Sequence, residues 1–237
     1  MYNKKKLISV VTTAFNESKN IEKSVLEWNK FLIKNKISSE IVVYNDGSTD
    51  DTYKKLKTLK KKIKNLKILN GKKNKGYGFG MRKSINKSTG EFLVTIDSDN
   101  QYFLSNIKKF LPYIKKGNIF FTGHRVKKKD SFIKIFADLI LRQIVRIVFR
   151  TKLKDTNCAL KMFQAKILKK IRLSSNDYKF PTELCLKIEN KGIQIIDLPV
   201  AHSHRKDGKS SINLILTSLK FLKFLFLLKL KLLSNDK

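Results

Sequence analysis

Glu91-Phe92-Leu93-Val94-Thr95-Ile96-Asp97-Ser98-Asp99-Asn100-Gln101 is an apolar run that stops on two carboxylates and two amides. Glu91 to Ile96 reads as a β-strand, which places the polar residues at a strand's carboxyl end. A lone Asp-x-Asp turn more often caps the next helix than binds a ligand, so its surroundings decide. Working outward, Gly76 to Lys87 opens a helix, Lys67 to Leu69 is a short strand, and Asn118 to Thr122 is a later one. Toward the N-terminus, Leu7 to Val11 and Glu40 to Tyr44 read as strands. Between them Ser18 to Lys34 is a helix with Ile21, Val25, Trp28 and Leu32 on one face, and Asp50 or Asp51 caps another. Strand and helix alternate, which predicts an α/β fold with a mostly parallel sheet flanked by helices. In open sheets of this kind ligands bind beyond the carboxyl ends of the strands, where the polar motifs fall.

Asp97 and Asp99 share one side of an extended chain, and Gln101 follows them. Hard cations such as Mg²⁺ take one or two carboxylates together with substrate phosphates. Asp46, Gly47 and Ser48 leave the second strand, where a carboxylate accepts bonds from a base or ribose, or the glycine simply makes a turn. Gly76, Gly78 and Gly80 open a helix whose positive end suits a phosphate. A dinucleotide fingerprint is not met, because it needs glycine where Met81 stands and belongs after the first strand.

Fifty-two lysines and arginines against 19 acidic residues give a formal charge of +33, a field that attracts polyanions, lipid headgroups and phosphorylated substrates alike. The two cysteines, Cys158 and Cys185, form no metal or disulfide pattern. The basic start, Met1 to Lys6, precedes an apolar stretch too short for a signal peptide. Phe132 to Phe149 is apolar around most of its circumference, with Arg142, Arg146 and Arg150 at one-turn spacing. The segment Ile212 to Leu233 is rich in leucine but broken by Lys220, Lys223, Lys229 and Lys231, so no spanning helix is expected. Asn213, Lys220, Lys223 and Lys231 fall in one arc, with Lys229 outside it, and the broad apolar face predicts an amphipathic helical tail lying in a membrane interface; the alternatives are a helix packed on the protein core or the start of a hairpin.

Thr13-Ala14-Phe15-Asn16-Glu17, Asn45-Asp46-Gly47-Ser48-Thr49-Asp50, Gly76-Tyr77-Gly78 and the acidic stretch Asp97 to Gln101 occur in the order seen in family 2 glycosyltransferases, which this chain resembles. Asp155-Thr156-Asn157-Cys158-Ala159-Leu160-Lys161 and Arg205-Lys206-Asp207-Gly208-Lys209-Ser210 make it look most like the dolichol-phosphate mannosyltransferase and polyprenyl-phosphate sugar transferase branch. It departs from the family's pattern at Ala14, Asn45 and Ser211. The resemblance implies a GT-A type, Rossmann-like nucleotide-sugar-binding domain over 1–211, followed by the tail 212–237. It implies a donor nucleotide site of Ala14, Phe15, Asn16, Glu17, Asp46, Gly47, Ser48, Gly76, Asp97 and Ser98. Asp97, Asp99 and Gln101 would hold Mg²⁺ or Mn²⁺. Arg125 and Arg205 would act on phosphates, joined at the acceptor by Lys134, Lys209 and Ser210.

The implied reaction is a single displacement with inversion, from a GDP-mannose or UDP-glucose type donor to a polyprenyl or dolichyl phosphate. That acceptor is already an anion near neutral pH and needs no strong base. A sugar hydroxyl acceptor on a saccharide or lipid-linked glycan would need one, and Asp155 or Glu183 would serve. His202 would reach the metal if its loop folds over the site; otherwise it and His204 are ordinary imidazoles at a partly buried strand end, and His124 would orient backbone beside Arg125. The remaining alternative is a nonenzymatic basic protein that binds polyanions through charge. No specific nucleic acid is expected, and the expected location is peripheral, on the cytoplasmic face of a membrane.

Overall fold

The computed structural model describes residues 8–114, 117, 119–126, 132–203 and 214–234. The expectations for Arg205, Lys209 and Ser210 lie outside these residues, as does that for the Lys134 side chain. The first half alternates as expected: β1 (Ile8–Ala14), α1 (Ile21–Lys34), β2 (Ser39–Asn45), α2 (Thr52–Lys62), β3 (Leu66–Asn70), α3 (Tyr77–Lys87) and β4 (Phe92–Thr95). All seven residues of β1 are buried, the signature of a strand covered on both faces. α1 turns Ile21, Val25, Trp28 and Leu32 inward, as its spacing predicted. Trp28 is 3% exposed, so Trp28→Ala removes a packing contribution of about 3–5 kcal/mol.

The second half holds a short helix α4 (Leu111–Ile114), β5 (Phe120–Arg125), α5 (Phe132–Phe149), β6 (Lys161–Gln164), α6 (Phe180–Asn190), β7 (Ile196–Val200) and α7 (Leu214–Ser234). Strand order is β3-β2-β1-β4-β6-β5-β7. β1 pairs in parallel with β2 and β4, β2 with β3, and β5 with β7. β6 enters antiparallel to both β4 and β5, so the sheet is mixed within its mostly parallel frame.

Alternation along the strands sorts side chains to two layers. Val10, Ile41 and Val94 join α1 and α2 on one face. Val11, Val42 and Leu93 meet Met81 of α3 and Phe180 and Leu184 of α6 on the other. A third cluster binds α7 to its neighbours, with Phe221, Leu225, Leu228 and Leu232 against Val145 of α5 and Leu186 of α6. Over Leu214–Ser234 the tail is therefore helical, but its described side chains do not show the expected division into one apolar and one basic face. One apolar stripe is packed on protein, while Leu219, Phe226, Leu230 and Leu233 remain exposed between lysines. No helix among the described residues is long and apolar enough to cross a membrane.

Candidate active site

The loops leaving β1, β2 and β4 meet beyond the carboxyl ends of these parallel strands, and hydrogen bonds lace them together. Asn16, at φ +53°, donates its backbone N–H to Ser48 Oγ at 3.0 Å, and its side-chain oxygen accepts from Thr49 N at 2.9 Å. Glu17 N donates to Thr52 Oγ1 at 2.9 Å, and Ser18 N to Asp50 Oδ2 at 3.1 Å. Burial pushes the Asp50 carboxyl up, but the hydrogen bonds from Thr52 and Ser18 outweigh it and hold the pKa below the usual range. Asp50 thus organises the turn into α2 through Thr52 Oγ1, at 2.5 Å, and Thr52 N, at 3.0 Å.

Asp46 is 1% exposed and clamps the next loop: its two oxygens accept from Lys75 N at 3.0 Å and Gly76 N at 2.8 Å. The carboxylate expected beside the nucleotide therefore shapes the glycine turn at the start of α3. Gly47, at φ +69°, lies under that turn, and a Cβ there would fall 2.4 Å from the Lys73 carbonyl carbon. Gly76, at φ +98°, is equally hemmed in, 2.4 Å from Asn176 O. Only glycine suits either position. Phe15 is 43% exposed at the rim, and the buried Ala14 supplies the carbonyl that accepts from Asp46 N.

The acidic loop is fixed from several directions. Ser98 Oγ donates to Thr13 O at 3.0 Å. Ser24 of α1 lies 2.6 Å from Asn100 Oδ1 and 3.0 Å from Ser98 O, holding Asn100 in the left-handed region at φ +61°. Asp99 Oδ1 accepts from Gln101 N at 3.1 Å. The 201–203 segment runs alongside: Ser203 N donates to Gln101 O, and the His202 ring packs edge-on against Tyr102 with centroids 4.8 Å apart. Gln101 Nε2 donates to Ser203 O at 3.4 Å.

Within this frame Asp97 Oδ1 is sealed from solvent and has no hydrogen-bond partner among the described residues. Burial, then the neighbouring Asp99, push the Asp97 carboxyl up to about 7. The Tyr77 hydroxyl, itself buried and pushed well up, stands close enough to favour the Asp97 anion but not in the geometry of a full hydrogen bond. Among the described residues no cluster of three or more His, Cys, Asp or Glu side chains forms a metal cage. Two carboxylates with one orphaned oxygen instead fit a divalent ion that brings most of its own ligands, as Mg²⁺ does with water and phosphate.

Arg125, at the end of β5, presents Nε and Nη2 to Asp155 at 2.6 and 3.0 Å. Arg142 of α5 reaches the same carboxylate at 2.7 Å and Asp138 at 2.6 Å, close charge contacts rather than aligned hydrogen bonds. Asp155 is 0% exposed beneath these two guanidinium groups. Glu183 is similarly engaged, accepting from Ser174 N, Ser174 Oγ, Ser175 N and Lys187 Nζ. Both carboxylates expected as alternative bases are thus held by cations or donors, since a buried carboxylate is stable only when so satisfied. His124 pairs with Asp197 at 2.6 Å instead of with backbone. The sequence assigned no role to Ser24 or Asp138, and Tyr77 entered only as part of the Gly76-Tyr77-Gly78 motif; their relevance arises from what the fold sets beside them.

Residues 9–172 match the family model described as Glycosyl transferase family 2. The chain is 27% identical over 94% of its length to the dolichyl-phosphate beta-glucosyltransferase of Saccharomyces cerevisiae, covering 74% of that protein. It is 24% identical over 86% of its length to the dodecaprenyl-phosphate galacturonate synthase of Rhizobium johnstonii, covering 61% of it. In fold it is similar to glucosyl-3-phosphoglycerate synthase from Mycobacterium tuberculosis, solved with Mn²⁺, UDP-glucose and phosphoglyceric acid. That match has a TM-score of 0.75 and 16% identity, covering 94% of this chain and 80% of the other. These findings set aside the reading as a nonenzymatic basic protein. With a mixed sheet of GT-A type and its loops converging on a paired carboxylate site, the chain belongs to glycosyl transferase family 2 and is a glycosyltransferase.

Proposed function

We propose that this enzyme moves a sugar from a nucleotide-diphospho-sugar of the GDP-mannose or UDP-glucose type to a polyprenyl or dolichyl phosphate at a membrane. The observation that carries the proposal is the orphaned Asp97 Oδ1 beside Asp99, where three laced loops meet. Asp97 and Asp99 would hold Mg²⁺ or Mn²⁺, with Gln101 at the loop's exit, and an ion so held would supply Lewis acidity toward a departing diphosphate. Ala14 to Glu17, Asp46 to Ser48, Gly76 and Ser98 form the donor nucleotide wall, and Tyr77 steadies the Asp97 carboxylate.

Two names among the relatives, a dolichyl-phosphate glucosyltransferase and a dodecaprenyl-phosphate galacturonate synthase, support a lipid phosphate as acceptor. Such a phosphate carries its own nucleophilic charge, so no side chain need remove a proton. The engagement of Asp155 and Glu183 with their own partners is compatible with that chemistry. Arg125 contributes positive charge between the acidic loop and α5, and Lys134, Arg205, Lys209 and Ser210 complete the acceptor side. Transfer inverts the anomeric centre in one displacement. The site belongs to 1–211, and 212–237 rests on the anionic, cytoplasmic face of the membrane as a peripheral attachment.

Transfer from labelled GDP- and UDP-sugars to polyprenyl phosphate in detergent, with and without Mg²⁺ or Mn²⁺, tests this. Metal-dependent labelling of the lipid is expected. Labelling of a saccharide or lipid-linked glycan, with none of the polyprenyl phosphate, would transfer the assignment to cell-surface polysaccharide synthesis.

A further inference from the structure

Away from the acidic loop, a cavity of about 360 Å³ opens between α6 and α7. No residue of the loops that leave β1, β2 and β4 lines it. One wall carries Lys179 and Lys187 on either side of Glu183 at one-turn spacing, and the other carries Lys220, Lys223 and Lys231. Five lysines therefore line one space, with Lys187 held by Glu183 and Arg172 O and Lys179 by Asp177, which leaves the three of α7 to set its charge. The single carboxylate lining it, Glu183, is 1% exposed and already accepts from Lys187 at 2.6 Å and from Ser174 and Ser175. Lys179 contacts Asp177. Among the described residues, no carboxylate lies within ion-pair distance of Lys220, Lys223 or Lys231.

Like charges along a partly desolvated groove repel, and a groove lined mostly by one sign of charge concentrates counter-ions. The floor narrows the choice of anion. Phe224, Leu227 and Leu228 stand between the lysines of α7, giving a hydrocarbon surface that a bare phosphate or a nucleic-acid backbone would leave uncovered. Beside this arc lies the exposed apolar strip of Leu219, Phe226 and Leu230. The combination suits a phosphate joined to hydrocarbon chains.

We propose that the cavity between α6 and α7 binds the phosphate headgroup of an anionic phospholipid, with the chains leaving along Leu227 and the exposed strip of α7. This does not rest on the transfer reading, because the cavity shares no residue with the acidic loop.

The test titrates the full chain with three probes: short-chain phosphatidic acid below its micelle concentration, short-chain phosphatidylcholine, and inorganic phosphate. Phosphatidic acid is expected to saturate at one molecule per chain and to bind at least about tenfold more tightly than either other probe, the scale of one charge-assisted hydrogen bond or a few buried methylenes. Lys220→Gln/Lys223→Gln, at exposed positions, should weaken it by about tenfold or more, and Lys231→Gln should weaken it independently. Lys54→Gln/Lys61→Gln on α2 removes the same charge and should change it by less than about twofold. Inorganic phosphate binding as tightly as phosphatidic acid would overturn the lipid assignment in favour of a free-phosphate site. Equal affinity for phosphatidylcholine, or equal losses in the two double variants, would overturn the headgroup site itself.

Discussion

Replacing Asp97 by Asn should have opposite effects on the protein without and with metal. Burial and the adjacent Asp99 raise the Asp97 carboxyl to about 7, against about 3.9 for an unfolded aspartate. Between those values the folded state binds the proton and the unfolded state does not, so stability falls as pH rises and levels off above the folded pKa. At 1.36 kcal/mol per pH unit, the penalty above pH 7 is at most about 4 kcal/mol, and less where the acidic loop relaxes. Asn mimics the neutral acid. In chelator at about pH 8 the Asp97→Asn variant should therefore be more stable than the parent, by an amount that shrinks toward zero near pH 4. Adding Mn²⁺ should stabilise the parent by mass action and leave the variant nearly unchanged. Urea unfolding at both pH values, with chelator and with Mn²⁺, provides all four comparisons. A metal-free variant less stable than the parent at about pH 8 would refute the electrostatic account, and equal stabilisation of both proteins by Mn²⁺ would refute the metal assignment.

Asp155→Asn should destabilise the fold by about 3 kcal/mol in denaturant unfolding, the lower end for a broken buried ion pair, since Arg125 and Arg142 retain some solvent access. An effect under about 1 kcal/mol would mean that water replaces the carboxylate freely. Ser24→Ala removes the hydroxyl that holds Ser98 and Asn100. It should weaken Mn²⁺ binding by about tenfold, measured by titration, with the overall fold intact by circular dichroism. Burial raises the Glu183 carboxyl, but Lys187 and the Ser174 and Ser175 donors outweigh it and hold its pKa below normal. Its stabilisation is present above the unfolded value of about 4.3 and is lost as pH falls through the lower folded value. Glu183→Gln should flatten that acid limb and cost about 1–3 kcal/mol at neutral pH, read from unfolding midpoints across pH.

The first four strands and their helices were legible because each strand is a short β-branched or apolar run, and each helix carries its own buried stripe. α5 was equally plain from its apolar content. β6 was not. Lys161-Met162-Phe163-Gln164 begins with a lysine, yet Lys161 is 0% exposed because Thr122 Oγ1 and Thr156 O receive its ammonium at 3.0 and 3.1 Å. Nothing local to those four residues announces an antiparallel insertion between β4 and β5. The order of elements after β5 therefore stayed closed to sequence reading.

By itself the sequence determined the alternating frame, the two carboxylates at the end of β4 and the glycines that let loops cross closely, because these depend on period, strand ends and backbone freedom within a few residues. Tertiary structure alone decided which polar groups became partners. Asp46 clamps the Lys75–Gly76 turn, Asp155 joins Arg125 and Arg142, Glu183 holds the Ser174–Ser175 turn, and among the described residues Asp97 Oδ1 is left without a hydrogen-bond partner. A carboxylate's role follows from burial and from the charges around it, and those are brought together by segments distant along the chain.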